Sequence, residues 1–289
     1  MEAIYELIFS FSEGYNFVNR QVCSEFREMI PLVNYPVYLD QIIKDNGIPE
    51  NFKPSEDLMH QAINLGLVHL LQANKKYVTT KVCILASEKG HLNILYWALE
   101  NGYPWYENVC SKGAVRNGHV HVLEWARNRG LGWGECVCTE AAKTGDLGTL
   151  KWLRANGCSW SRYAYRGAAY KGHLEILEYL RENGCPWDDQ VCAYAVEGGH
   201  LEVLQWLREY GCPWNGDTCS NAARYGYLEI LQWARANGCP WDVRTCSSAV
   251  NGGYLNILQW ARANGCPWNK KRCYELAKTK EMKVWIENN

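Results

Sequence analysis

Apolar residues recur at spacings of three and four along HLEVLQWLREY, His200 to Tyr210, placing Leu201, Leu204 and Leu207 or Trp206 on one stripe. That is the signature of a helix with a single buried face. The same stripe returns between Val78 and Trp268, each time preceded by a shorter helical stretch such as VRTCSSAVN. A glycine closes each shorter stretch, at Gly118, Gly145, Gly172, Gly199, Gly226 and Gly253. Each longer stripe ends at a glycine such as Gly184, Gly211, Gly238 or Gly265, followed two residues later by a proline that cannot continue a helix. Landmark tryptophans Trp105, Trp133, Trp160, Trp187, Trp214, Trp241 and Trp268 lie 28 residues apart once and 27 apart thereafter. Directly after them come Ser161, Asp188, Asn215, Asp242 and Asn269, side chains that accept from the free amides of a first helical turn. The period therefore predicts a helix A, a tight turn, a helix B and a return loop reading NGCPW. Neither helix can bury its stripe alone, so the pairs must stack, and the expected fold is an all-α helical-repeat solenoid.

The motif A-x-x-G-H-L-E-I-L, followed by a helix and N-G-C-P-W, resembles the ankyrin repeat. On that pattern Cys266 takes the alanine place, Trp268 the valine place, Asn269 the asparagine place and Cys246 the leucine place of the first helix. About six residues are missing between Trp268 and the next helix A, where ankyrin repeats project a β-hairpin. Such shortened units are similar to those of large families encoded by giant DNA viruses and some protists. The resemblance covers roughly residues 54–289, with a degenerate first unit at 54–77, regular units at 78–268 and a truncated, more polar end cap at 269–289. It implies that helix A lines the concave side and faces a protein partner.

Residues 1–50 have a different composition and do not repeat. The spacing of Ile4, Leu7, Ile8, Phe9 and Phe11, then Phe17, then Val22, Cys23, Phe26 and Ile30 suggests two or three short amphipathic helices ending at Pro31. Ile8-Phe9-Ser10-Phe11 followed by Val22-Cys23-Ser24-Glu25-Phe26-Arg27-Glu28-Met29 resembles an F-box, without its opening Leu-Pro and with Phe26 where tryptophan is usual. This resemblance implies that Leu7, Ile8, Phe9, Val22, Cys23 and Phe26 engage the adaptor subunit of a cullin-RING ubiquitin ligase, with the repeats at 51–289 holding the target. The alternative is a plain binding scaffold whose residues 1–50 cap the open end of the stack.

Composition narrows the partners. A formal charge of −1 provides no field to gather nucleic acid or an anionic membrane. No apolar run approaches a membrane span, and MEAIYELIFSF is acidic where a signal peptide is basic. An intracellular, cytoplasmic monomer is the expectation. Most of the fourteen cysteines recur as repeat positions, Cys185, Cys212, Cys239 and Cys266, then Cys192, Cys219, Cys246 and Cys273. Equivalent positions in stacked helices lie roughly 8 to 10 Å apart, too far for like-to-like disulfides. Spacing alone leaves a within-unit bridge such as Cys185 to Cys192 open, but buried free thiols acting as small apolar fillers are expected.

Chemistry is sparse. His91, His119, His173 and His200 share one repeat position that Asp146, Tyr227 and Tyr254 fill elsewhere, whereas an active site needs one constellation in one place. Cys136, Cys138 and Cys158 lack zinc-knuckle spacing. No phosphate-binding loop, dinucleotide fingerprint, HExxH or nucleophile elbow occurs, so no enzyme activity, cofactor or metal is expected. The helix B tryptophans Trp97, Trp125, Trp152, Trp206, Trp233 and Trp260 could suggest a stacking platform, but their register with leucine favours core packing. What varies from unit to unit is Arg116, Lys143, Tyr170, Glu197, Arg224 and Asn251, two residues before the turn glycine. Around the start of helix A the variable set is Arg162, Tyr163, Asp189, Asp217, Arg244 and Lys270. Large polar and aromatic side chains of this kind suit a contact surface.

Overall fold

The computed structural model describes residues 34–50, 52–134 and 136–289. Every regular element among them is helical, and they divide into two compact units, one ending at Gly134 and one from Glu135 to Asn289. Each unit is a stack of ankyrin-like helical repeats.

The first unit contains α1 (Tyr35–Asn46), α2 (Glu56–Leu65), α3 (Val68–Ala73), a 3-10 turn at Lys75–Tyr77, α4 (Val82–Lys89), α5 (Leu92–Glu100), α6 (Glu107–Arg116) and α7 (Val120–Asn128). The apolar spacing of the N-terminal segment ends its helices at Pro31, so α1 is an addition that the pattern did not foresee. Pro36 sits in its first turn, where a missing N–H costs nothing. The helix packs against α3, and Asp40 Oδ1 accepts the Leu70 N–H of that helix at 2.7 Å. Ser55 caps α2 by accepting from the Leu58 N–H at 3.2 Å. The degenerate stretch thus forms a helical pair like the regular repeats.

The second unit is six such pairs: α8 (Val137–Thr144) with α9 (Leu147–Ala155), α10 (Arg162–Lys171) with α11 (Leu174–Glu182), and α12 (Gln190–Glu197) with α13 (Leu201–Glu209). They continue as α14 (Gly216–Tyr225) with α15 (Leu228–Ala236), α16 (Val243–Gly252) with α17 (Leu255–Ala263), and α18 (Lys270–Leu276) with α19 (Lys280–Asn288). Asn215, Asp242 and Asn269 cap their A helices, accepting from the N–H groups of Asp217, Arg244 and Arg272 at 2.9, 2.8 and 2.9 Å. Asp188 accepts from the Gln190 N–H at 3.2 Å. Ser161 takes the cap position without a side-chain hydrogen bond.

Consecutive A helices pack closely along this unit, whereas consecutive B helices approach each other far less. The side chains explain the asymmetry. The A helices bury Cys192 and Ala195, Cys219 and Ala222, Cys246 and Ala249, and interaxial distance follows the bulk of the side chains at the contact. The B helices bury Leu204 and Leu207, Leu231, and Leu258. The A face is therefore the inner side of the stack. The buried stripe of α13 is Val203, Leu204 and Leu207, with Leu201 and Trp206 half-buried, so Leu204 and Leu207 hold the stripe that the spacing suggested and Val203 takes the place of Leu201.

The tryptophans of helix B follow the core-packing expectation only in the first unit, where Trp97 and Trp125 are buried; Trp152, Trp206, Trp233 and Trp260 are half-buried. Two of the latter four, Trp233 and Trp260, join a staple with the return loop. The guanidinium groups of Arg208, Arg235 and Arg262 lie 4.2, 4.1 and 4.8 Å from the ring centroids of Trp214, Trp241 and Trp268. They also donate to the carbonyl oxygens of Cys212, Cys239 and Cys266. Arg154 does the same with Trp160 and Cys158. Trp214 and Trp241 then meet Trp233 and Trp260 of the following helix B edge to face, centroids 6.1 and 5.9 Å apart. Desolvated guanidinium-indole contacts are worth about 1 to 2 kcal/mol, so each loop ties its own helix B to the next one.

The described cysteines are free, and all but Cys136 are buried. The neighbour of Cys192 is Cys212, not Cys185: four helix A thiols of the second unit hydrogen-bond to the thiol of the loop that closes their own repeat. The pairs are Cys138 with Cys158, Cys192 with Cys212, Cys219 with Cys239, and Cys246 with Cys266. That hydrogen bond, together with burial, pushes the helix A thiols far above the ordinary thiol range.

Two outcomes follow from this packing. Leu231→Ala, at a fully buried position, destabilises the second unit by about 2 to 5 kcal/mol in urea unfolding, while exposed Gln232→Ala stays within about 0.5 kcal/mol. In a native protein pulsed with iodoacetamide, peptide mapping over residues 34–289 finds Cys136 alkylated first and the buried thiols only after denaturant is added.

Candidate protein-binding face

The second unit brings its variable A-helix residues onto one face, and the turn geometry fixes where they stand. At Gly172 the backbone has φ +78°, and any Cβ would come within 2.7 Å of the His200 ring. Glycine is thus needed twice over, for the left-handed turn and for the ring that lies on it. His173 sits on Gly145, Tyr227 on Gly199 and Tyr254 on Gly226 in the same way. This accounts for the interchange of histidine and tyrosine in the column. His173 Nε2 also stands 3.2 Å from the Lys143 carbonyl oxygen, and in the first unit His91 Nε2 stands 3.1 Å from that of Asn64. These rings stitch one repeat to the one before it. His119 is held below the usual imidazole range by burial and then by His121.

With the turns fixed, residues two positions before the turn glycine emerge beside the middle of the neighbouring A helix. Lys143, Tyr163, Tyr170 and Glu197 line one open pocket of about 400 Å³ together with Thr139, Arg166, Gly167 and Tyr194. The absence of a side chain at Gly167 opens its floor: a Cβ there would meet Lys143 Cβ at 3.3 Å and the Thr139 carbonyl oxygen at 3.4 Å. Arg166 stands over the rings of Tyr163 and Tyr194 at 5.1 and 5.5 Å and is anchored from below by an ion pair with Asp188. That hydrogen-bonded carboxylate raises the guanidinium pKa. Glu197 accepts from Tyr225 Oη at 3.0 Å, and burial, followed by this contact, raises the phenol pKa. Tyr163 is 54% exposed. Its ring is held beside the Arg166 guanidinium and loses little freedom on binding, the property that makes such tyrosines anchors.

The remaining residues of the variable sets are placed differently. Arg224 and Asn251 line a second pocket with Ser247, Ser248, Arg272 and Leu276. Arg244 bridges Asp217 Oδ1 at 2.6 Å and Asp242 Oδ2 at 2.9 Å. Arg162 lies 3.6 Å from Asp188, and Asp189 accepts from Asn215 Nδ2 at 2.7 Å. These side chains at the start of helix A tie successive repeats together. Lys270 Nζ donates to the Glu287 carbonyl oxygen at 2.9 Å. Arg116 is exposed in the first unit. Leu7, Ile8, Phe9, Val22, Cys23 and Phe26 lie outside the described residues.

The pocket residues that the sequence reading missed, Thr139, Arg166, Gly167 and Tyr194, belong to mid-helix columns. Twenty-seven-residue steps run from Thr139 through Arg166, Ala193, Ser220 and Ser247, and from Glu140 through Gly167, Tyr194, Asn221 and Ser248. Both columns vary as much as the two that were compared, so the signal was present. Among the described residues no cluster of three or more His, Cys, Asp or Glu side chains is placed to hold a metal, and no helix is long and apolar enough to cross a membrane.

A family model described as ankyrin repeats (many copies) matches residues 167–215, spanning the loop and helices at the centre of the second unit. No curated protein matches the chain. Among solved structures, the pentatricopeptide repeat protein PPR10 from maize is similar at 12% identity and a TM-score of 0.41, over 88% of this chain and 46% of that one. PPR10 in complex with an 18-nt psaJ RNA element is similar at 11% identity and a TM-score of 0.30, over 83% of this chain and 48% of that one. The chain spans less than half the length of either, and at these scores neither bears on what it binds. The class these observations define is a helical-repeat protein with ankyrin-like repeats.

Arg244 holds the Asp242 carboxyl below the usual carboxylate range by hydrogen bonding. A depressed carboxylate stabilises the fold above its unfolded pKa, about 3.9, and that stabilisation is lost as pH falls through the lower folded value. Asp242→Ala, which also removes the cap, costs about 1 kcal/mol at pH 7. The gap between variant and parent in urea unfolding narrows as pH is lowered from 5 towards 2.

Proposed function

We propose that the chain is a protein-binding module that holds a partner on the A-helix face of its second unit. The observation that carries this reading is the pocket in which Tyr163, Tyr170 and Tyr194 surround Arg166 on a rigid helical scaffold, with Lys143 and Glu197 at the sides. Exposed tyrosines held by packing, framed by charges of both signs, give contact area at low entropic cost and set the register of a partner. The ankyrin-like character of the repeats supports a protein as that partner. Nothing assembled on this face offers a nucleophile with its base, so holding rather than converting is the activity proposed.

The sharper form of the reading makes the chain a cytoplasmic adaptor. Residues 1–30 would recruit the adaptor subunit of a cullin-RING ubiquitin ligase through Leu7, Ile8, Phe9, Val22, Cys23 and Phe26, raising the local concentration of a bound target near the ligase. The F-box-like run from Ile8 to Phe26 supports it, and the shortened repeat, which resembles those of giant DNA viruses, fits a target drawn from host proteins. The plain-scaffold alternative gains support from α1, whose packing on α3 and Asp40 hydrogen bond already supply a helical cap to the first repeat.

A photo-crosslinking amino acid at Tyr163 is expected to yield discrete protein adducts in eukaryotic lysate that the same group at exposed Gln259, on a B helix, does not; equal patterns would refute use of the A face. For the adaptor form, Ile8→Asp with Phe9→Asp is expected to abolish co-purification of the ligase adaptor while Tyr163 adducts persist. Retention of the ligase adaptor by the double variant, or its absence from the parent, would leave the scaffold reading.

A further inference from the structure

Along the same face, α14, α16 and α18 enclose an open pocket of about 280 Å³ lined by Arg224, Ser247, Ser248, Asn251, Arg272 and Leu276. Its charge is unbalanced. The Arg224 guanidinium stands exposed, with no acidic side chain among the described residues paired to it. Arg272 has only Glu275, three residues along its own helix at 3.7 Å, and is itself 61% exposed. Lys278 brings a third cation to the rim, its Nζ donating to the Asn251 carbonyl oxygen at 3.0 Å. Elsewhere on this face the arginines are occupied: Arg166 by Asp188, Arg244 by Asp217 and Asp242.

The donors here match a particular acceptor. Arg224, Arg272, Ser248 and Asn251 line one opening, while Ser247 Oγ donates to the Arg244 carbonyl oxygen at 3.0 Å. A carboxylate brings one negative charge and two oxygens, which a single arginine satisfies in bidentate fashion. A phosphoryl group brings nearly two charges and three acceptor oxygens, enough for both arginines and the neutral donors together. Leu276 supplies an apolar wall against which the stem of the bearing residue can lie.

Resting on the reading of this face as protein-binding, we propose that the pocket between Arg224 and Arg272 is a recognition site for a phosphorylated serine or threonine side chain of the partner protein. Phosphorylation of the partner would thereby control its capture.

The test uses the immobilised full chain and two peptide mixtures, a tryptic digest of eukaryotic lysate and the same digest treated with phosphatase. Phosphoserine and phosphothreonine peptides are expected to be retained at least about tenfold more than their dephosphorylated forms, a difference of about 1.4 kcal/mol. Arg224→Ala with Arg272→Ala is expected to erase that preference, and Lys143→Ala, in the other pocket, to leave it intact. Equal retention after phosphatase treatment, preferential retention of peptides rich in Asp and Glu without phosphate, or an unchanged preference in the double variant would each overturn the proposal. A thermal melt of the double variant matching the parent confirms that both exposed positions were altered without loss of fold. The Tyr163 crosslinking experiment separates the two readings: adducts without phosphopeptide preference overturn the phosphoryl site alone, whereas loss of both overturns the binding face as well.

Discussion

Close approach of one A helix to the next is the constraint from which the rest of the second unit follows. Cysteine and alanine at the contact, as at Cys219 with Ala222 and Cys246 with Ala249, let these helices lie together, while leucine and isoleucine keep the B helices further apart. Larger residues at the A contacts would have to be accommodated by moving whole repeats, because a close-packed interior has no spare volume. The abundant cysteines have a packing role here. Each is small and apolar enough to fill the seam, and Cys138, Cys192, Cys219 and Cys246 pair with the thiol of the return loop.

A short repeat brings a second requirement. With the return loop reduced to a few residues, little chain remains to bind one helical pair to the next, and the arginine-tryptophan staple meets that need. One guanidinium covers an indole face and caps a loop carbonyl at the same time, and the indole edge reaches the following helix B. Arginine suits this use because its flat, weakly hydrated cation stacks and donates together, which lysine cannot do. Histidine and tyrosine at the turn column serve the same end on the A side, lying on the glycine of the preceding repeat.

Function is left to the columns that this framework does not consume. Mid-helix positions and those before the turn glycine are free to change, and where Gly167 leaves a gap beside Tyr163, Tyr170 and Tyr194 a pocket opens. Positions at the start of helix A vary as well, yet Arg162, Asp189 and Arg244 are drawn into contacts between repeats. Variation along a repeat array therefore marks surface, and only geometry separates the surface that meets a partner from the surface that meets the next repeat.

Much of this was legible in the chain itself. The 27-residue period, the capping residues after each tryptophan and the glycine-proline punctuation specify helices A and B and their ends, because caps, left-handed turns and helix-breaking prolines act through neighbours in sequence. Stacking follows too, since neither stripe can be buried within one repeat. The tertiary structure decided what depends on residues far apart in sequence. It placed Cys212 rather than Cys185 beside Cys192, left Trp206 and Trp233 half-buried where a leucine register suggested the core, added α1 beyond Pro31, and gathered Arg166 and Tyr194 into one pocket with Lys143 and Glu197. Each of these turns on distance and angle between helices, and those are set by the volumes of side chains meeting across the seam, which a one-dimensional pattern does not contain.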